Sequence, residues 1–180
     1  MKHLFLAAMA LLTSGFLHLQ AQCDCPPLSE RSTVVVADNG SGTGTTTWTC
    51  DNVYLLDGYV FVNSGQTLTI EPGTVVKGMA GQGADAAALI VSRGGVMDAE
   101  GTADCGITFT FEADDLDGAT SYNTPGQWGG VIVLGDAPIN LPTGEGQIEG
   151  IPADNDRAAY GGTNANDNSG ILRYFSIRHG

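Results

Sequence analysis

An internal repeat constrains this chain more than any other feature of its sequence. The segment YVFVNSGQTLTIEPGT begins at Tyr59, and ALIVSRGGVMDAEGT, which begins at Ala88, copies it with one deletion. At an offset of 29 residues, the aligned pairs are Val60 with Leu89, Val62 with Val91, Gly65 with Gly94, Leu68 with Met97 and Glu71 with Glu100. After Pro72, the offset falls to 28 and aligns Gly73 with Gly101 and Thr74 with Thr102. Self-similarity at this period is typical of a solenoid, in which each repeat buries its apolar face against its neighbours.

The repeat predicts an all-β fold. Short β-branched runs end in Gly or Pro turns, and no helical periodicity is visible after the first 21 residues. Further apolar strands are expected at residues 131–134 and 171–177, and the polar stretches 112–126 and 141–169 are expected to be loop insertions. This pattern predicts a right-handed parallel β-helix of about four coils with two polar insertions.

The organisation along the chain is predicted in three parts. Residues 1–21 combine Lys2, an apolar run and a small-residue end, which is the order of a secretory signal peptide. Residues 22–57 do not fit the repeat and are expected to form an N-terminal β cap over the open sheet edge. Residues 58–180 are expected to form the coils. The last residues, up to Gly180, lie in or just after a strand, which predicts further coils or another chain at the C-terminal edge.

The four cysteines are disulfide candidates because an exported chain folds under oxidising conditions. They are Cys23, Cys25, Cys50 and Cys105. We expect the Cys-x-Cys segment to be pinned to Cys50 and Cys105, with either pairing open. A thiolate metal site is the alternative, although it usually has Cys-x2-Cys spacing. Gln22 stands where a lipoprotein signal needs a small residue, so simple cleavage is expected over lipidation.

The charge balance excludes two classes of partner. The chain has 7 Lys and Arg against 20 Asp and Glu, a net charge of -13, so nucleic acid and anionic membrane surfaces are not expected ligands. No stretch approaches the roughly 20 apolar residues of a membrane span. Glycine accounts for 26 of the 180 residues, which favours a turn-rich β protein over a helical bundle.

The sequence also resembles a large family of secreted bacterial right-handed parallel β-helix surface proteins. The resemblance covers roughly residues 33–180 and is carried by LTIEPGTVVKG, FTFEADDLDG, QWGGVIVLGDAPIN, YGGTNANDNSG and ILRYFSIRHG. Many members carry a C-terminal sorting domain for type IX secretion, and this chain resembles their N-terminal part. The resemblance implies a secreted or cell-surface protein and supplies no established enzymatic activity.

The acidic loop EADDLDG is the first candidate for chemistry. Asp114, Asp115 and Asp117 offer clustered oxygens of the kind that calcium prefers, although the loop lacks EF-hand spacing. Solvated turns are the alternative, because Asp, Asn and Gly also serve to form turns. Calcium is the only cofactor predicted.

Two carboxylate pairs are candidates for glycan chemistry. Glu71 and Glu100 should lie one coil apart, where they could bind a cation or act as a general acid, unless Lys77 or Arg93 neutralises them. Asp115 and Asp117 lie two positions apart and are candidates for glycoside cleavage, with stacking faces from Tyr122 and Trp128. Packing at a coil corner is the alternative for Trp128. His179 is the single histidine outside the predicted leader, which disfavours a nucleophilic triad or a zinc site.

Together these features predict a secreted or cell-surface structural or binding module for adhesion or ligand capture. Its ligand is expected to be a surface glycan or a protein. The alternative is a polysaccharide-active enzyme, a lyase or glycoside hydrolase, on the same β-helix scaffold.

Overall fold

The computed structural model describes residues 23–152 and 155–180. The predicted signal peptide at residues 1–21 lies outside the described residues. The strands in the described part are β1 (Ser32–Ala37), β2 (Thr46–Trp48), β3 (Asn52–Asp57), β4 (Tyr59–Val62), β5 (Thr67–Ile70), β6 (Val75–Gly78), β7 (Ala88–Val91), β8 (Val96–Glu100), β9 (Ile107–Phe111), β10 (Val131–Val133), β11 (Gly146–Gln147), β12 (Ala159–Tyr160), β13 (Gly170–Arg173) and β14 (Phe175–Ile177). Single 3₁₀ turns occur at Leu28–Glu30, Gly83–Asp85 and Asp156–Ala158.

Three parallel sheets contain most of these strands. Sheet A has the order β1-β3-β6-β9-β14, sheet B the order β13-β8-β5-β2, and sheet C the order β10-β7-β4. The chain runs from sheet A to C to B through β3-β4-β5, again through β6-β7-β8, and again through β9-β10-β13. This connectivity is that of a parallel β-helix, so the all-β parallel prediction is confirmed. The handedness, the number of coils and the cap stay predictions; β1 and β2 of the proposed cap segment pair in parallel within sheets A and B.

The predicted repeat register is confirmed in sheets B and C. Val60 pairs with Leu89 and Val62 with Val91 between β4 and β7, and Leu68 pairs with Met97 between β5 and β8. All six side chains are fully buried. Parallel strands one coil apart therefore stack like on like, which is the arrangement that a solenoid needs to bury its interior.

The predicted alignment after Pro72 is wrong. Val75 pairs with Thr108, an offset of 33 residues, so Gly73 and Thr74 are not stacked on Gly101 and Thr102. The extra residues form a tight turn in which Thr102 and Cys105 exchange backbone hydrogen bonds of 3.0 and 3.2 Å.

The single strand predicted at residues 171–177 is instead two strands on different sheets. β13 pairs with β8 in sheet B, and β14 pairs with β9 in sheet A. Tyr174 lies between them with a φ of 47°, in the left-handed region that non-glycine residues seldom adopt. One residue therefore turns the chain from one sheet to the next.

Strands β4 and β7 of sheet C are covered on both faces, which explains why they are continuously apolar. Inside the helix, Val60 and Leu89 belong to the main core. On the outer face, Phe61 and Ile90 form a second cluster with Ile151 from the long insertion. Continuous apolar runs are typical of strands covered on both sides. The second polar stretch, predicted as a loop insertion, therefore packs partly against the fold.

An ion pair with a buried carboxylate fixes this insertion to the N-terminal part of the chain. Arg157 Nη1 lies 2.6 Å from Asp38 Oδ2, and the guanidinium lies 3.9 Å from the centroid of the Phe61 ring. Burial alone raises the pKa of Asp38, but hydrogen bonds from the backbone N–H groups of Gly40, Gly42 and Phe61 and from Arg157 hold it below its usual value. The carboxylate is therefore charged at neutral pH and retains its partner.

The two disulfides should stabilise the fold by different amounts, because they close loops of different length. Cys23–Cys105 closes a separation of 82 residues and Cys25–Cys50 one of 25. By restricting the unfolded chain, the first disulfide should stabilise the folded state by about 4.5 kcal/mol and the second by about 3.5 kcal/mol. The double variant Cys23→Ser/Cys105→Ser should therefore lose more free energy of unfolding than Cys25→Ser/Cys50→Ser in urea denaturation. A larger loss in the second variant would contradict this ordering.

Candidate functional site

The outer face of sheet A is the floor of a hollow on the surface of the described part of the chain. Strand alternation turns Tyr54 and Leu56 of β3 into the core, whereas Val53 and Leu55 point outward. The same alternation places Thr33 of β1 and Lys77 of β6 on this outer face. Backbone pairing puts Leu55 directly beside Lys77.

We call this hollow the sheet-A groove. It has a volume of about 700 Å³, and its lining residues are Leu28, Ser29, Arg31, Thr33, Val53, Leu55, Lys77, Glu112 and Asp115. One wall comes from the segment before β1 and the other from the loop after β9. The groove therefore depends on how these two irregular segments are held against the sheet.

Two disulfides hold the N-terminal wall. Cys23 is bonded to Cys105 and Cys25 to Cys50, with Cα–Cα distances of 5.0 and 5.6 Å. This confirms the expected pinning of the Cys-x-Cys segment and selects one of the two open pairings. A Cβ added at Gly73 would lie 2.6 Å from the Sγ atoms of Cys23, Cys25 and Cys105, so the sulfurs converge over this glycine.

Arg31 also stabilises the N-terminal wall, through two hydrogen bonds. Its Nε donates to the Pro26 carbonyl at 2.9 Å, and its Nη1 donates to the Gly73 carbonyl at 2.8 Å. Burial lowers the pKa of Arg31, and the charge of Asp51 opposes that shift. The guanidinium therefore connects the segment before β1 to the turn before β6.

Lys77 holds the opposite wall. Its Nζ donates to the Asp114 carbonyl at 2.6 Å and to the Glu112 carbonyl at 3.1 Å. The ammonium thus binds the backbone of the acidic loop, and it does not lie beside Glu71 or Glu100. The suggestion that Lys77 neutralises those carboxylates is wrong, because its ammonium group is hydrogen-bonded to the loop after β9.

Asp114 is a buried structural residue of this loop. It is 2 % exposed, and its Oδ2 accepts a hydrogen bond of 2.7 Å from Thr110 Oγ1 while its Oδ1 accepts one of 3.0 Å from Leu116 N–H. Burial alone raises the pKa of Asp114, but these hydrogen bonds and the nearby charges of His179 and Arg178 hold it below its usual value. The carboxylate stays charged and keeps the loop folded onto β9.

The other loop carboxylates lie apart from Asp114. Glu112 and Asp115 are exposed and line the groove, whereas Asp117 accepts a hydrogen bond of 2.7 Å from Ala119 N–H and does not line it. In the described part of the chain, three potential metal ligands have their ligand atoms within 4.8 Å of one another. They are Cys23, Cys25 and Cys105. Those sulfurs are in disulfides. Calcium at Asp114, Asp115 and Asp117 stays a prediction.

The stacked glutamates occupy the ends of their strands. Ile70 pairs with Ala99, which places Glu71 and Glu100 at the next positions in register. Arg173 Nη1 lies 3.5 Å from Glu100 Oε2. Arg93, the other suggested neutralising residue, instead binds Glu145 at 2.7 Å. Glu100 is therefore paired by the following strand, an arrangement that the two-copy repeat did not reveal.

His179 lies beside Asp114 of the acidic loop, and Trp128 Nε1 donates to the Arg178 carbonyl at 2.8 Å. His179 Nε2 lies 3.8 Å from Asp114 Oδ2, and Thr110 donates to that same oxygen. The hydroxyl thus faces the carboxylate and not the imidazole, which is not the order of a nucleophilic triad. Trp128 is 3 % exposed and packs on Gly78, where a Cβ would lie 2.7 Å from the indole, so the packing interpretation is confirmed.

Sequence reasoning identified one wall of the groove and missed the rest. The clustered carboxylates of the acidic loop identified it as a candidate site. No sequence motif contains Leu28, Arg31 or Thr33. Their position depends on disulfides between distant residues. Tyr122 is 88 % exposed and is not among the groove-lining residues, so it supplies no stacking face there.

The chain is similar to a known family of protein domains. The model of a family described as a pectate-lyase like beta helix domain matches residues 40–180. No curated protein matches the chain, and no solved structure does. In the part of the chain that the structure describes, no helix is long and apolar enough to cross a membrane.

The lowered pKa of Asp114 predicts acid-sensitive stability. Its contribution is fully present above the unfolded-state pKa of about 4 and is lost as pH falls through the lower folded-state value. Asp114→Asn should therefore lower the free energy of unfolding by about 1–3 kcal/mol at pH 7. This deficit should shrink as the pH is lowered towards 2 in a series of urea titrations.

Asp117→Asn is the matched control, because this exposed carboxylate lies in the same loop. It should change the free energy of unfolding by less than about 0.5 kcal/mol at pH 7. An Asp114→Asn deficit that is the same at neutral and acid pH would contradict a role for the charged carboxylate.

Proposed function

The chain belongs to the pectate-lyase like β-helix domain family, and on that premise we propose that it is a secreted or cell-surface binding module that captures a glycan. The observation that carries the proposal is the sheet-A groove. Its volume of about 700 Å³ lies within the range of small-molecule and oligomer sites.

The chemistry of the lining supports a sugar ligand. Val53 and Leu55 form an apolar floor, Ser29 and Thr33 offer hydroxyl groups at one edge, and carboxylates stand at the other. Sugars present apolar C–H faces and hydroxyl edges, so a groove with an apolar base and polar rims suits them. Because parallel strands are about 4.8 Å apart, the floor formed by β1, β3 and β6 extends across two strand spacings.

Export is part of the proposal. Two disulfides tie the N-terminal segment to the sheets, and such bonds persist in oxidising compartments. The signal-peptide pattern at residues 1–21 and the resemblance to type IX substrates support the same destination. We infer that the bound glycan is one of the cell surface or its surroundings.

Cleavage of a polysaccharide is the second candidate function. The observation in its favour is that Glu112 and Asp115 are both exposed in the groove, where carboxylates would meet a bound sugar. Glycoside cleavage commonly uses two carboxylates on opposite sides of the scissile bond. In this reading, Asp115 and Glu112 replace the sequence-based pair Asp115 and Asp117.

Filling the groove tests the binding site directly. Thr33→Met places a longer apolar side chain on the groove floor and removes a hydroxyl group without adding an aromatic stacking face. It should weaken glycan binding at least about tenfold, a loss of about 1.4 kcal/mol, in glycan-array hits followed by calorimetry. Thr47→Met is the matched control, since Thr47 is also an exposed strand threonine but lies in sheet B. Equal binding by both variants would place the ligand elsewhere.

Turnover separates the two candidate functions. Incubation with each bound glycan should release neither reducing ends nor unsaturated products if the protein is a binding module. Product formation that Asp115→Asn abolishes, while binding is retained, would establish the enzymatic alternative.

A further inference from the structure

The groove's two cations are turned towards the protein. Arg31 uses Nε and Nη1 on the carbonyls of Pro26 and Gly73, and Lys77 Nζ donates to the carbonyls of Glu112 and Asp114. Reorienting either cation towards a ligand would release carbonyls that keep the groove walls in place.

The groove's two carboxylates are turned towards solvent. Glu112 and Asp115 are exposed, and within the described residues neither side chain has a hydrogen-bond or ion-pair partner. Both are therefore free to accept from a ligand. The charged groups of the groove that have no protein partner are therefore acceptors, in a chain whose net charge is -13.

We infer that the sheet-A groove selects a glycan bearing protonated amino groups, such as an oligomer of glucosamine, over a polyuronate. The inference rests on the proposed function, because it names the ligand class of the same groove. An ammonium group on a sugar would donate to Glu112 or Asp115, while the ring's C–H face lies over Val53 and Leu55. A uronate carboxylate at the same place would be repelled by Glu112 and Asp115. Arg31 and Lys77 would not offset this repulsion, because both are hydrogen-bonded to backbone carbonyls.

Calorimetry with three hexasaccharides of matched length tests this inference. The probes are hexamers of glucosamine, N-acetylglucosamine and galacturonate. The glucosamine hexamer should bind at least about tenfold tighter than its N-acetylated counterpart, and the preference should fall at about 0.5 M salt because exposed charges are screened. Galacturonate should bind weakest of the three.

Variants of the two carboxylates assign the preference to the groove. Glu112→Gln/Asp115→Asn should reduce glucosamine binding to the level of the N-acetylated hexamer, with a loss of up to about fivefold per charge. Glu149→Gln, an exposed carboxylate outside the groove, should leave binding unchanged. Unaltered glucosamine binding by the double variant would overturn the inference.

The remaining outcomes separate this inference from the proposed function. If galacturonate or the N-acetylated hexamer binds as tightly as glucosamine, and Thr33→Met weakens that binding, the amino-sugar inference fails and the glycan module stands. Tetralysine binding as tight as the glucosamine hexamer would overturn the glycan class in favour of a basic peptide. If no glycan binds on a broad array, the proposed function fails as well.

Discussion

The parallel stacking of strands in register is the constraint on which the rest of the structure depends. Because Val60 lies on Leu89 and Leu68 on Met97, each coil covers the apolar side chains of its neighbour. Every inward position is thereby fixed, and alternation turns Val53, Leu55 and Lys77 outward on one flat face. The groove is a consequence of that face together with the two segments that border it.

The fold was predictable from the sequence to the extent that it repeats. The strands at residues 59–70 and 88–100 were placed in register because two copies of one pattern align without ambiguity. The alignment failed at Gly73, where the turn that holds Cys105 lengthens one coil, and at Tyr174, where one residue in a rare conformation changes sheets. Neither the longer turn nor the change of sheet occurs in the other copy of the repeat, so the repeat could not predict either feature.

The site was less predictable, because its parts come together only through long-range bonds. The acidic loop was visible as a cluster of carboxylates, yet its members have different roles. Asp114 is buried under Thr110 and stabilises the loop, whereas Asp115 and Glu112 face the groove. The opposite wall, around Arg31, is positioned by disulfides that join residues 82 and 25 positions apart. Its sequence has no pattern that indicates a binding surface.

Amide hydrogen exchange, read peptide by peptide with and without the glucosamine hexamer, tests most directly whether the outer face of sheet A is the ligand site. Bound ligand should slow exchange in β1, β3 and β6 and in the loop after β9, because these segments form the groove. Exchange over β11 and β12 in the long insertion should not change. Protection confined to that insertion, with none on sheet A, would contradict the assignment of the groove.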